Sequence, residues 1–160
     1  MSQKSKRRLI REKVLQVLFA FELNDESLQF LIDEIFAEIK NDSDRLFGIE
    51  LINKVRIHKD QLDEFIKERV ANWEMNRIAL IDRILLRIGI CEILYFPDIP
   101  PKVSINESIE IAKEYSTAGS AKFVNGILDA ILTTEKKSGK LNKMGRGLVE
   151  ESVTKVPDEK

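Results

Sequence analysis

The placement of helix breakers constrains this chain more than any other feature. All four prolines (Pro97, Pro100, Pro101 and Pro157) lie beyond residue 96, and only Gly48 and Gly89 interrupt the stretch before them. A meander of short strands needs turn residues every few positions, so a stretch this long with two such breaks argues for helices. The apolar spacing agrees. Ile10, Val14, Val17, Leu18 and Phe21 share one helical face, as do Leu28, Leu31, Ile32, Ile35, Phe36 and Ile39. Leu46, Ile49, Leu51, Ile52 and Val55 continue the pattern, followed by Leu62, Phe65, Ile66 and Val70. Asn24-Asp25 and Asn41-Asp42-Ser43 supply polar breaks and candidate N-caps between these segments.

From Arg77 to Phe96 the apolar residues surround the helix on nearly every side, which predicts a central helix covered all round. Pro97-Asp98-Ile99-Pro100-Pro101 then forms a stiff connector. Ser104 and Glu107 have capping-box spacing and predict a helix running to about Tyr115. A last helix is expected over Ala121 to Leu132. Phe123-Val124-Asn125-Gly126-Ile127-Leu128 also has the look of a hairpin with an Asn-Gly turn. Helix is preferred, because Phe123, Ile127 and Ile131 keep i, i+4 spacing. The fold class is therefore all-α, with residues 1–135 forming the helical domain. Residues 136–160, rich in Lys, Gly, Ser and Glu with little periodicity, read as a disordered charged tail.

Composition narrows the function. At 160 residues, 43% apolar and 33% charged, the chain suits one globular domain or two small halves. It has no long uncharged apolar run for a membrane span and no secretory pattern at its basic N-terminus, so a cytoplasmic protein without a membrane partner is expected. Cys91 is the lone cysteine and His58 the lone histidine, which leaves no internal disulfide, no zinc cluster and no nucleophile motif beside the histidine. Cys91 reads as a small core residue and His58 as a surface one. Glycine-rich nucleotide loops are missing as well. The reading is of a non-enzyme with no cofactor and no metal.

The near-neutral total of 26 positive against 27 negative groups hides an asymmetry. Residues 1–13 hold six cations (Lys4, Lys6, Arg7, Arg8, Arg11, Lys13) against Glu12, whereas 14–133 hold 13 positive and 21 negative groups. A basic arm on an acidic body suggests a local anionic partner. On a helix, Lys4, Arg7, Arg8 and Arg11 fall within an arc of about 100°. Cations at one-turn spacing suit a phosphate backbone, and roughly three to five such contacts are expected. Leu15 and Phe19 continue the stripe off the centre of the core face, suggesting a protein partner beside the nucleic acid. Lys122 and Phe123, beside a loop containing Gly119, suit phosphate capture and base stacking. Each feature has a plain alternative: a solvated terminus for the arm, core edge for Phe19, core aromatic for Phe123, capping for Ser116, Thr117 and Ser120.

Four segments then resemble a known family. Arg7-Arg8-Leu9-Ile10-Arg11-Glu12 followed by Leu15-Gln16-Val17-Leu18-Phe19 is similar to the N-terminal arginine helix of the NusB transcription antitermination family. Asp82-Arg83-Ile84-Leu85-Leu86-Arg87-Ile88 through Glu92, the run Val103 to Lys113, and Lys122 to Asp129 match further signatures in order, over about residues 5–133. The resemblance implies about seven helices in two packed three-helix bundles. It implies binding of single-stranded boxA-type RNA from ribosomal RNA leaders together with NusE, a small-subunit ribosomal protein. It also implies action with RNA polymerase and other Nus factors, as a monomer or a homodimer. Arg7, Arg8, Arg11 and Gln16 would be the N-terminal RNA contacts, with Lys122 and Phe123 a second contact. Phe19 and Asp82 would face NusE. Where the family often carries an acidic residue before the last helix, this chain has Gly119. Two other readings stand beside this one: an RNA-binding accessory module of a ribosomal RNA methyltransferase system, and a protein-only helical scaffold.

Overall fold

The structure, a computed structural model, describes residues 4–70 and 75–149. Those residues form seven α-helices and two short 3-10 turns. The chain divides into two units, Met1–Ile57 and His58–Lys160.

The first unit holds α1 (Lys6–Leu23), α2 (Leu28–Ile35) and α3 (Asp42–Ile57). Each starts where a short polar side chain accepts an otherwise orphaned N–H. Ser5 accepts from Arg8 at 3.0 Å, Ser27 from Phe30 at 3.1 Å and Asn41 from Asp44 at 2.9 Å. Asn24 closes α1 rather than opening α2. The core gathers Ile10, Val14 and Val17 of α1, Leu31 and Ile32 of α2, Phe36 just beyond it, and Phe47, Leu51 and Ile52 of α3. Gly48 lets these helices close: a Cβ there would stand 2.6 Å from the Phe36 ring and 2.9 Å from Ile10. Leu46, expected on the core face, is 68% exposed, and Phe47 takes its place inside.

The second unit holds α4 (Lys59–Arg69), α5 (Leu80–Tyr95), α6 (Pro101–Tyr115) and α7 (Ala118–Ser138). The seven helices thus divide three and four between the units. As its all-round apolar sequence predicts, α5 is central: the ten residues Ile84–Ile93 are all buried, beneath α4, α6 and α7. The charged groups caught in this stretch are paired. Arg87 holds Asp63 of α4 through two bonds of 2.7 and 3.3 Å, and Glu92 accepts from the Ser104 hydroxyl of α6 at 2.7 Å.

That last bond replaces the expected capping box. Proline at the first helical position has a pre-set φ and no N–H to leave unsatisfied, so α6 begins at Pro101 and Ser104 lies inside it. The segment around Asn125-Gly126 is helix, with no turn. The last helix, expected to end at about Leu132, runs further. α7 continues to Ser138, ending on Gly139 at φ 74°, a left-handed conformation suited to glycine. The chain then packs back. Lys143 Nζ donates to the carbonyls of Glu92, Phe96 and Ile99 at 3.1, 2.8 and 2.7 Å, capping the end of α5, and Met144 N–H donates to the Pro97 carbonyl at 3.0 Å. Burial lowers the Lys143 pKa to about 8, against the opposing pull of Glu92 and Asp98. Residues 150–160 of the expected tail lie outside the described residues.

Candidate nucleic-acid interface

Arg7, Arg8 and Arg11 are on α1 as expected, whereas Lys4 precedes its Ser5 cap, and the four are not a row of equivalent free charges. Lys4 Nζ lies 2.9 Å from a carboxylate oxygen of Glu12, which is itself buried. Arg11 is only 4% exposed. Arg8 is half-buried, and Arg7 keeps 45% of its side-chain surface in solvent. The cause is the width of the covered face. From Ile10 to Leu18 the buried positions of α1 span an arc of about 220°, because α2 and α3 both lie along it. The arc takes in Arg11, Glu12 and Leu15; Arg7 has an angle inside the same arc but lies before the buried stretch, at the start of the helix.

The cations left at that end have a support that the stripe did not reveal. The Arg7 guanidinium lies over the Phe47 ring at 4.1 Å from its centroid, and Arg11 lies 5.3 Å from the same centroid. Asp44, in the first turn of α3, places Oδ1 3.7 Å from Arg7 Nε. An aromatic face attracts a guanidinium while leaving its in-plane N–H groups available to acceptors. One signal did point to Phe47: it begins the i, i+4 series Phe47, Leu51, Val55.

The expected protein-facing residues separate. Leu15 is 2% exposed and belongs to the core, since its position falls near the middle of the wide covered arc. Phe19 and Gln16 are half-buried at the edge of that arc. Asp82, expected on a partner surface, is buried. It sits in the first turn of α5, where the helix dipole favours an anion, and accepts from the Ser120 hydroxyl of α7 at 2.7 Å. Its Oδ1 is buried with no hydrogen-bond partner among the described residues.

On the second unit, Thr117 caps α7 by accepting from Ser120 N–H at 2.9 Å, so capping is what this hydroxyl does. The helix starts at Ala118, three residues before the expected position, which puts exposed Lys122 and half-buried Phe123 in its second turn. The N-terminal N–H groups of α7 and the Phe123 ring are therefore separate features. His58 is half-buried and stacks on Tyr95, with ring centroids 3.9 Å apart. Burial raises the Tyr95 pKa, with Cys91 adding to it.

Among the described residues no group of three or more His, Cys, Asp or Glu is placed to hold a metal ion. Nor is any described helix long and apolar enough to cross a membrane. Fold and surface together define a small all-α protein with a supported arginine at one helix end. Comparison with known proteins takes this further. The profile of the NusB family matches residues 8–133, and the chain belongs to that family. It is 48% identical over 149 residues to a transcription antitermination protein NusB of Chloroherpeton thalassium, covering 90% of this chain and 69% of that protein. A second, from Salinibacter ruber, is 45% identical over 147 residues, with 91% and 92% covered. The solved structure of T. maritima NusB superposes with a TM-score of 0.76 at 36% identity, covering 85% of this chain and 99% of that one. A crystal structure of antitermination factors NusB and NusE in complex with double-stranded RNA gives 0.73 at 25% identity, covering 81% and 97%. The family's members are non-catalytic antitermination factors.

Proposed function

We propose that this chain binds boxA-type single-stranded RNA of ribosomal RNA leader transcripts together with NusE, and so supports processive transcription by RNA polymerase with other Nus factors. The observation that carries the reading is the Arg7 guanidinium, laid on the Phe47 ring at 4.1 Å and 45% exposed at the start of α1. It occurs in a chain whose structural relative is solved with NusE and RNA. Arg7 and Arg8 are the primary phosphate contacts, Gln16 a polar contact beside them, and Lys122 with Phe123 a further contact on the second unit. Lys4 and Arg11, the one paired and the other covered, support the arm rather than grip the strand. Phe19 lies on the NusE-facing surface. No step requires chemistry: cations hold the backbone, while polar and aromatic groups read unpaired bases.

The test is filter binding of boxA-like RNA against a scrambled oligomer and against a duplex, each with and without NusE. The single-stranded boxA-like RNA is expected to bind best, and NusE to tighten it further. Equal retention of all three RNAs, unaffected by NusE, would refute the reading. Phe19→Ala is expected to weaken NusE association in calorimetry more than it weakens RNA binding alone.

A further inference from the structure

The geometry points to Asp44 and Phe47 as positioning residues that hold the Arg7 guanidinium against α3 and limit how much of its charge an incoming phosphate meets. This rests on the RNA-binding reading above and concerns the same arm. Phe47 is 6% exposed, so its ring is fixed by the core of the first unit and offers a rigid platform. A long arginine side chain near a helix end ordinarily samples many rotamers, and ordering it on binding opposes association. A guanidinium already resting on a ring at 4.1 Å has met part of that cost.

Asp44 adds the second constraint. Its nearest approach to Arg7 runs through Nε at 3.7 Å, inside the range of an ion pair but beyond hydrogen-bond length. Held by one face and by its Nε edge, the guanidinium keeps its terminal Nη fork for the bidentate grip that phosphate favours. The same carboxylate, with 17% of its side chain exposed, is an anion already beside the cation that RNA must engage. A phosphate that binds Arg7 therefore approaches Asp44 as well. Asp44 has its own reason to stay in place. It lies in the first turn of α3, where the helix dipole favours a carboxylate, and its backbone N–H is held by Asn41 at 2.9 Å. The arrangement trades affinity for selectivity: weak anions do not displace it, whereas a polyanion with further contacts does.

A double-mutant cycle on RNA affinity tests this, using a short fluorescein-labelled single-stranded RNA and fluorescence anisotropy at about 50 mM salt. Asp44→Asn is expected to tighten binding about threefold to tenfold, the effect of one partly screened charge near a surface. In an Arg7→Ala background the same substitution is expected to change affinity by less than about twofold, since Asp44 acts through Arg7. Phe47→Tyr keeps the ring and is expected to keep wild-type affinity, while Phe47→Leu weakens binding with little change in circular dichroism. If Phe47→Leu does not fold, the Asp44 cycle and Phe47→Tyr still decide the matter. An equal gain from Asp44→Asn with and without Arg7 would overturn the inference, because the carboxylate would then act only as a distant charge. So would unchanged or weaker binding by Asp44→Asn. In either case a loss on Arg7→Ala leaves the RNA reading of the arm standing, whereas Arg7→Ala without effect removes that reading as well.

Discussion

Gly48 offers a sharp test of the packing that delivers α3 to the arm. In a helix, Gly→Ala ordinarily stabilises by about 1 kcal/mol, because alanine loses less backbone entropy on folding. At Gly48 the added methyl would stand 2.6 Å from one ring carbon of Phe36, 2.7 Å from another and 2.9 Å from Ile10 Cγ2, where ordinary contact starts at 3.4 Å. Phe36 is 0% and Ile10 4% exposed, so neither has solvent to retreat into, and a phenyl ring cannot bend away. Overpacking of this kind costs about 1–3 kcal/mol, and a rigid buried ring places Gly48→Ala near the upper end. Set against the helix gain, the net loss is about 2 kcal/mol. For a chain of this length that lowers the melting temperature by roughly 4–8 °C. Gly126 is the internal control. It lies on an exposed face of α7, where an added methyl would meet nothing within 4 Å, so Gly126→Ala is expected to gain about 1 kcal/mol. Thermal melts followed by circular dichroism, supported by urea titrations, measure both. A Gly48→Ala protein that melts at or above the wild type, with Gly126→Ala lower, would refute the packing account.

Two further outcomes concern the second unit. Asp63→Ala strands the Arg87 guanidinium, 6% exposed, without the carboxylate at 2.7 Å, and is expected to cost about 3–5 kcal/mol in urea unfolding. Replacing both residues by apolar ones of similar volume should restore most of that loss, and a double variant no better than Asp63→Ala would contradict it. Lys143 gives a pH signature. Its pKa falls from 10.5 to about 8 in the folded chain, so between those values the folded state binds fewer protons than the unfolded state. Stability contributed by this group therefore rises as pH increases through that window and is flat below it. The melting-temperature difference between wild type and Lys143→Met should shift in favour of wild type from pH 8 towards pH 10, and a constant difference would rule this out.

Much of the architecture is legible in the chain because it rests on local rules. Prolines confined to the second half, two early glycines, the apolar spacing and a helix apolar on every side are enough to place seven helices, with α5 at the centre of the second unit. What escapes is set by how many neighbours a helix has. Leu15 looks marginal on a helical wheel and is buried, since α2 and α3 together cover more of α1 than one partner would. Asp82 looks available and is turned inward to Ser120, a partner 38 residues away. The start of α6 went to Pro101 over a plausible capping box, because a proline's missing N–H costs nothing at a first helical position. Residues 139–149 carry no periodicity, yet one lysine that finds three carbonyls fixes them in place. The arginine arm was readable as charge. Its support by Phe47 and Asp44 was not, since that depends on α3 arriving beside α1.

The central claim, that Arg7 on its buried-ring support and Arg8 beside it hold an RNA backbone, is tested most directly by the salt dependence of RNA affinity. With Lys4 paired and Arg11 covered, about three phosphate contacts remain, and raising salt from about 50 to 200 mM should weaken binding roughly 20-fold. The Arg7→Ala, Arg8→Ala double variant should bind more weakly at low salt and lose most of that slope while keeping the wild-type melting profile. Wild-type affinity that does not change with salt, or a double variant with an unaltered slope, would contradict the account.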